Sequence, residues 1–265
     1  MNATPTALPA PQPDWALFFD FDGTLADIAS SPCGVRVDPR LAPALAALSQ
    51  ALDGAVALVS GRPLEQLDAL LAPLVLPAAG LHGLERRRTD GTVARGASPM
   101  AALDAARKRL QAFTATAPGV LMEDKGLSLA LHYRAAPARE ADCRRVISEA
   151  LAAGGAGLHL LEGKMVLELK PDAADKGTAI EAFLAEPPFA GRVPAFVGDD
   201  RTDEDGFAVV NRRGGVTVRV GDGAPTSARW RVDTVAELLA WLTTAPAAIA
   251  RAHSGAGRRR GADGE

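Results

Sequence analysis

Two aspartates separated by one residue stand at the end of the first apolar run of the chain. The run Trp15 to Asp20 reads WALFFD, and Asp22, Gly23 and Thr24 follow it directly. Such a run is typical of a buried strand in a parallel sheet, and the carboxyl ends of those strands are where α/β proteins bind ligands. Because side chains alternate along a strand, Asp20 and Asp22 leave on the same side, where they repel unless a cation or a proton lies between them. Gly23 allows a turn and Thr24 offers its hydroxyl to an anion, although an ordinary strand-end turn has a similar composition.

A second acidic segment ends another predicted strand and reads GDDRTDED over 198–205. Its carboxylates, among them Asp199, Asp200 and Asp203, are the oxygen ligands that Mg²⁺ prefers. Helix capping is the alternative, since Thr202 or Asp203 can cap the next helix and acidic residues are favourable at a helix N-terminus. Capping does not account for Asp199, which stands at the end of the strand.

Two further segments place phosphate-binding groups beside strands or helices. Ser60-Gly61-Arg62 ends a strand and opens a helix, where a hydroxyl and backbone N–H groups can hold a phosphate. Lys176 opens another helix, where it can neutralise a phosphate and separate crowded carboxylates. Taken alone, an ordinary helix entry and a solvated lysine are the better explanations of these two segments. The four segments together carry the groups needed for phosphoryl transfer to a carboxylate with the help of Mg²⁺.

The order of predicted elements indicates how these segments are positioned. Strands over 15–20, 56–60, 195–198 and 216–220 alternate with helices over 39–52, 63–71, 175–185, 202–211 and 234–242. This alternation predicts a Rossmann-like α/β fold, a parallel sheet with helices on both faces. Residues 98–171 differ, because their helices (100–114 and 137–153) separate paired strands (120–123 with 128–134, and 158–162 with 165–170). We therefore predict a core of 14–97 and 172–245, an inserted α+β cap of 98–171, a flexible lead-in over 1–13 and a flexible tail over 246–265.

Composition excludes several classes of protein. The 265 residues are 48% hydrophobic and carry a net charge of −3, so no basic field draws the chain to nucleic acid or to a membrane surface. No stretch resembles a spanning helix or a signal peptide. Cys33 and Cys143 have no metal-binding spacing and are predicted to be reduced thiols, which favours a cytoplasmic location. We expect the protein to be a monomer, and we expect the molecule that it binds to be a small one.

The four motifs, in this chain order, resemble those of the haloacid-dehalogenase superfamily of phosphohydrolases. Within it the chain is most similar to the trehalose-6-phosphate phosphatases. The segment Glu123 to Arg134 (EDKGLSLALHYR), the segment Gly163 to Glu168 (GKMVLE) and the stretch GLHGLE over 80–85 all match that family. The resemblance implies a fold with a cap that closes over the core, with hinges near 96–99 and 171–174. Another sugar phosphatase of this architecture (for sucrose phosphate or a mannosyl phosphate), a phosphomutase and a non-catalytic regulatory domain remain alternatives.

The resemblance also implies roles for individual residues. Asp20 would be the nucleophile and Asp22 the general acid and base. Mg²⁺ would be held by Asp20, the backbone carbonyl of Asp22 and Asp199, with Asp200 and Asp203 as supports or ligands. Ser60 and Lys176 would bind the transferring phosphoryl group. The remaining substrate-binding residues would be Thr24, Gly61, Arg62, Glu123, Lys125, His132, Arg134, Lys164 and Glu168. For those on the cap strands, cross-strand charge pairing is the alternative explanation.

Overall fold

The structure is a computed structural model that describes residues 8–29, 34–97, 99–154, 157–172, 174–223 and 225–260, without the side chains of 154 and 255–260. An eight-stranded sheet forms the larger part, in the order β12-β11-β10-β1-β2-β3-β4-β5. Strands β12 to β3 in this order are parallel to one another, and β4 and β5 run antiparallel at one edge. The strands are β1 (Trp15–Phe19), β2 (Val56–Val59), β3 (Ala78–Gly80), β4 (Glu85–Arg87), β5 (Val93–Arg95), β10 (Val193–Gly198), β11 (Val216–Val220) and β12 (Trp230–Val232).

Burial of β1 on both faces explains its all-apolar sequence. Each of its five residues is buried, and Phe18 stacks on Phe189 with ring centroids 5.5 Å apart. The helices that cover the sheet pack in pairs: α1 packs against α7, and α5 packs against α6. The helices of this domain are α1 (Leu41–Ala51), α2 (Leu64–Leu71), α5 (Lys176–Leu184), α6 (Glu204–Arg212) and α7 (Val235–Arg260).

The inserted segment forms a second sheet with its own hydrophobic core. The four strands lie in the order β6-β7-β9-β8 and are all antiparallel. Helices α3 and α4 pack against each other and against this sheet. Leu103, Leu131, Ile147 and Leu167 are fully buried between them, in a cluster separate from the main core. The elements are α3 (Met100–Thr114), β6 (Leu121–Asp124), β7 (Leu129–His132), α4 (Glu140–Gly154), β8 (Leu158–Gly163) and β9 (Val166–Pro171). The predicted α/β fold with an α+β cap is confirmed.

Both predicted flexible ends need correction. Helix α7 does not end at 242 but continues to Arg260, through Pro246, and Ile249 is 1% exposed. The reason is that Leu238, Leu242, Ala245 and Ile249 continue one apolar face at helical spacing. At the other end, the indole of Trp241 donates to the carbonyl of Pro9 at 3.3 Å, so part of the lead-in contacts the core. Residues 1–7 and 261–265 lie outside the described ranges.

The main sheet contains more strands than the sequence predicted. Four short strands, β3, β4, β5 and β12, were not predicted. Each has only three residues, which is too few to show an alternating pattern, and each forms through pairing with its neighbours.

Cys143 is free and buried in the cap, whereas Cys33 lies outside the described ranges. Among the described residues, no helix combines the length and the apolar composition needed to cross a bilayer.

Candidate active site

One cavity lies between the carboxyl ends of the main-sheet strands and the cap sheet. Its floor comes from the loops after β1, β2 and β10 and from the start of α5, and its roof comes from β6 to β9. The predicted site residues that line it are Asp20, Asp22, Ser60, Gly61, Arg62, Glu123, Lys125, His132, Arg134, Lys164, Glu168, Lys176, Asp199 and Asp200. Thr24 and Asp203 are fully buried next to them. Folding thus brings all four sequence motifs and both cap segments to one place.

A buried lysine holds two carboxylates at the floor of the cavity. Lys176 Nζ lies 2.8 Å from Asp20 Oδ1 and 2.7 Å from Asp203 Oδ1, and Lys176 is 2% exposed. Burial opposes the charge on this lysine, but Asp20 and Asp203 outweigh it and raise the pKa of Lys176. Burial raises the pKa of Asp20 well above its usual value, with Lys176 acting in the opposite direction. The lysine therefore compensates only part of the negative charge gathered here.

The residues present fit a hard divalent cation. Carboxylate oxygens of Asp20, Asp199 and Asp203 lie within 4.8 Å of one another. A Cβ atom on Gly23 would lie 2.2 Å from Asp199 Oδ2, so the turn after β1 is open at that carboxylate only because residue 23 has no side chain. Burial and the neighbouring Asp203 raise the pKa of Asp199 to about 6. Oxygen ligands of this kind, with an uncompensated negative charge, favour Mg²⁺.

The sequence left Asp200 and Asp203 open as ligands or supports, and their hydrogen bonds favour support. Asp203 Oδ2 accepts from the backbone N–H groups of Asp199 and Asp200, both at 2.9 Å, while its other oxygen accepts from Lys176. Asp200 caps the short 3₁₀ turn Arg201–Asp203, since its Oδ1 accepts from the N–H of Arg201 at 2.7 Å. Capping and charge clustering, offered as alternatives from the sequence, thus occur together in this loop.

Asp22 forms a two-point ion pair with Arg62. The guanidinium donates from Nε to Oδ2 at 2.6 Å and from Nη2 to Oδ1 at 2.8 Å. Ser60, which is 1% exposed, accepts at Oγ from the backbone N–H of Arg62 at 3.2 Å. Paired hydrogen bonds between a guanidinium and a carboxylate fix the carboxylate's direction as well as its charge.

The cap contributes a buried ion pair that reaches the main domain. Lys125 Nζ donates to Glu168 Oε2 at 2.9 Å and to the carbonyl of Gly61 at 3.0 Å. Ser128 Oγ donates to the other oxygen of Glu168 at 2.6 Å. Burial opposes the charge on Glu168, but Lys125, His82 and Ser128 outweigh it and lower its pKa.

Three other predicted cap residues also have partners. His132 Nε2 lies 2.9 Å from Glu123 Oε2, which is a diagonal pair between β7 and β6. Lys164 Nζ lies 2.5 Å from Asp199 Oδ2 in the main domain. Arg134 donates to the carbonyls of Ala29 and Lys164. The alternative of cross-strand pairing therefore holds for Glu123 and His132, but the pair lines the cavity and does not lie on an open sheet surface.

Among the lining residues that were given no role from the sequence, His82 and Gln66 are polar and have partners in the cavity. His82 is 7% exposed, its Nε2 lies 3.6 Å from Glu168 Oε2, and a Cβ on Gly61 would lie 2.7 Å from its ring. Leu81 and His82 both adopt positive φ (51° and 56°), which is uncommon outside glycine and which a leucine does not signal. Gln66 connects Arg62 to Glu123, and an exposed-looking helical glutamine gives no sequence signal of such a bridge.

Comparisons with known proteins agree with this geometry. The family model described as trehalose-phosphatase matches residues 18–236. The chain is 46% identical over 222 residues to a probable trehalose-phosphate phosphatase of Sinorhizobium fredii, covering 84% of this chain and 83% of the relative. It is 44% identical over 237 residues to trehalose-6-phosphate phosphatase of Escherichia coli, covering 89% and 88%.

Solved structures show the same fold. The C-terminal domain of Candida albicans trehalose-6-phosphate phosphatase superposes with a TM-score of 0.79 at 21% identity, covering 89% of this chain and 93% of that one. A trehalose-6-phosphate phosphatase related protein gives 0.74 at 25% identity, covering 87% and 96%. With its motifs assembled in one cavity and its sequence matched over most of its length, the chain belongs to the trehalose-phosphatase family.

Proposed function

We propose that this chain hydrolyses trehalose 6-phosphate to trehalose and inorganic phosphate, using Mg²⁺ and an aspartyl-phosphate on Asp20. The observation that carries the proposal is the shared cavity. A carboxylate paired with a buried lysine forms its floor, and charged cap residues suited to sugar hydroxyls form its roof. The relatives whose names state this activity cover more than four-fifths of the chain.

The first step is transfer of the phosphoryl group to Asp20. An oxygen of its carboxylate forms a bond to phosphorus while the bond between phosphorus and the sugar oxygen breaks. Asp22 acts as the general acid once one of its two bonds to Arg62 is released and that oxygen is protonated. It gives this proton to the departing oxygen, which leaves as the 6-hydroxyl of trehalose. Lys176 and Ser60 both line the cavity, and they would bind the transferring group, the lysine offsetting its charge.

The second step restores the enzyme. Asp22, now ionised, takes a proton from a water molecule, whose oxygen bonds to phosphorus as the acyl-phosphate bond to Asp20 breaks. Inorganic phosphate leaves and Asp20 returns to its carboxylate form. Asp20 and Asp199 would hold the Mg²⁺ ion, which screens the phosphate charge from the attacking carboxylate.

The cap supplies the part of the site that selects a sugar. Glucose rings offer hydroxyl groups, which charged hydrogen-bonding partners recognise best. Glu123, Lys125, Glu168 and Lys164 place such groups over the floor, and each contacts the main domain or a residue that does. Closure of this roof would also exclude bulk water during phosphoryl transfer.

The substrate is tested by phosphate release from trehalose 6-phosphate, sucrose phosphate and a mannosyl phosphate, each with Mg²⁺ and with EDTA. We expect release to be fastest from trehalose 6-phosphate and to stop with the chelator. Equal rates on all three esters would contradict the proposed substrate. Movement of phosphate between sugar positions without net release would indicate a mutase.

The nucleophile is tested by Asp20→Asn, with the exposed Asp14→Asn as the matched control. The change keeps the shape of the side chain and removes one buried negative charge, so we expect a folded protein with turnover reduced about a thousandfold or more. Mass spectrometry of acid-quenched wild-type enzyme should find phosphate on the peptide containing Asp20. Full activity of the Asp20 variant would refute the mechanism.

A further inference from the structure

A continuous line of hydrogen bonds connects Asp22 in the main domain to His132 in the cap. Arg62, which holds Asp22 through Nε and Nη2, also donates from Nη1 to Gln66 Oε1 at 3.0 Å. Gln66 Nε2 donates to Glu123 Oε1 at 3.3 Å, and the other oxygen of Glu123 lies 2.9 Å from His132 Nε2. Gln66 is thus the residue through which this line passes from one domain to the other.

The fold fixes the position of Gln66. It lies in the first half of α2, which begins at Leu64, and Arg62 lies just before the helix, close enough to donate to Gln66. Leu64, Leu67 and Leu71 bury the opposite face of α2. The helix therefore presents Gln66 to the cavity and cannot rotate without exposing its leucines.

The amide of Gln66 matches both of its neighbours chemically. A guanidinium only donates hydrogen bonds, and Gln66 meets Arg62 with its acceptor, Oε1. Glu123 is ionised and only accepts: burial opposes its charge, but the hydrogen bond with His132 and the charge of Lys125 outweigh burial and lower the pKa of Glu123. One glutamine side chain satisfies both neighbours. A glutamate at residue 66 would repel Glu123, and a leucine would leave both neighbours without this partner.

We propose that Gln66 is a positioning residue that links the sugar-binding side of the cap to Asp22, so that the aim of the general acid depends on Glu123. This rests on the proposed function, in which Glu123 takes part in sugar recognition. When a sugar hydroxyl engages Glu123, the amide of Gln66 adjusts to it, and Arg62 carries that change to both oxygens of Asp22. Gln66 therefore favours esters that fill the cap over small phosphate esters that do not reach it.

The test compares Gln66→Leu and Gln66→Glu with Gln111→Leu, which changes an exposed glutamine of α3. Two substrates are used: trehalose 6-phosphate and p-nitrophenyl phosphate, whose leaving group has no sugar hydroxyls. We expect the ratio of the two kcat/KM values to fall about tenfold in both Gln66 variants, mainly through kcat on the sugar ester. Gln111→Leu should keep the wild-type ratio. An equal fall on both substrates, or no fall on either, would overturn the proposal.

A second measurement keeps this inference separate from the proposed function. Hydrogen–deuterium exchange of the substrate-free protein follows the backbone amides of 121–132, which carry Glu123 and His132. Loss of the bond between Gln66 and Glu123 should make them exchange severalfold faster in Gln66→Leu than in Gln111→Leu. Unchanged exchange would exclude the link, whereas wild-type protein inert toward trehalose 6-phosphate would fault the proposed function alone.

Discussion

The acidic residues at the floor of the cavity are held in a costly arrangement. Asp20, Asp199 and Asp203 are all buried, and Lys176 contacts two of them. Asp203 is satisfied by hydrogen bonds. Among the residues that the structure describes, the Asp199 carboxylate accepts only from the cap's Lys164 and, at 3.4 Å, from Thr24. The pKa of Asp199 is raised because its ionised form is unfavourable in these buried surroundings. A divalent cation should therefore stabilise the folded state most when Asp199 is ionised.

Stabilisation by Mg²⁺ should therefore grow with pH. With no cation, Asp199 has a pKa of about 6 when folded and 3.8 in its ordinary state, so its contribution to stability is full below 3.8 and is lost as pH rises through 6. A bound cation replaces the proton and removes this loss. We expect the gain in unfolding free energy from Mg²⁺ over EDTA to be larger at pH 8 than at pH 5, by on the order of 1–3 kcal/mol. Urea unfolding measures it, and Asp199→Asn should remove the increase. The same gain at both pH values would contradict this account.

Individual site residues were predictable where a strand or helix end fixes their place. Asp20 and Asp199 follow buried strands, and the edge of a parallel sheet collects such residues whatever the rest of the chain does. Their partners were not predictable. The bonds from Asp203 to two backbone N–H groups, and from Gln66 to Glu123, depend on side-chain directions and on how the cap rests on the core.

At the scale of single elements, the start of α5 determines where Lys176 points. Asp175 accepts a hydrogen bond at Oδ1 from the N–H of Thr178 at 2.7 Å, and Thr178 Oγ1 accepts from the N–H of Asp175 at 3.0 Å. This reciprocal cap satisfies two backbone donors at the helix start. The next residue is Lys176, which contacts Asp20. The N-cap of α5 and the floor of the cavity are therefore adjacent in the chain.

Asp175→Ala should lower the unfolding free energy by about 0.5–2 kcal/mol, the usual cost of losing an N-cap side chain. Turnover should fall too, because the first turn of α5 carries Lys176. Asp175→Asn is the matched control, since asparagine removes the charge but keeps the acceptor, and it should cost much less. Urea denaturation and initial rates measure the two effects. Equal destabilisation by both variants would show that charge, and not capping, is what Asp175 supplies.

The end of α7 gives a second prediction at this scale. The chain composition after 246, rich in glycine and arginine, favoured a flexible tail, but Ile249 lies in the core with Leu242 and Ala245. Ile249→Ala should therefore cost about 2–4 kcal/mol of unfolding free energy. Val75→Ala, at a site that is 61% exposed, is the control and should cost little. If chemical denaturation gave the same midpoint for both variants, the second half of α7 would not be part of the core.

Elements were easiest to predict where their own sequence was sufficient. Helix α3 and strand β11 have the bounds that periodicity and apolar character predicted. The antiparallel edge strands β4 and β5 were missed because their sequences (ERR and VAR) are short, all but Arg87 are at least partly exposed, and their extended form depends on pairing. Whether a segment pairs at a sheet edge depends on what the rest of the fold leaves open there.

In the whole molecule, two hydrophobic cores meet across a polar boundary. The main core and the cap core contain different residues, and the cavity between them is lined by ion pairs and hydrogen bonds. Contacts from the cap reach two of the motifs: Lys125 reaches Gly61 of the SGR segment, and Lys164 reaches Asp199. A third contact joins Glu123 to Gln66, just after the SGR segment. Polar contacts of this kind can be exchanged for contacts with substrate or water, as the proposed closure of the cap requires.

Lys164 and a divalent cation should compete for Asp199. The lysine Nζ lies 2.5 Å from Asp199 Oδ2, and its side chain is 44% exposed, so the attraction is partly screened by solvent. Lys164→Met should bind Mg²⁺ roughly three- to tenfold more tightly in calorimetric titration, because no ammonium group then repels the ion. Its kcat/KM on trehalose 6-phosphate should fall, since the cap has lost one of the charges proposed to bind the sugar. Lys108→Met, an exposed change on α3, should alter neither quantity. Weaker Mg²⁺ binding in Lys164→Met would show that the cap lysine organises the acidic cluster for the ion and does not compete with it.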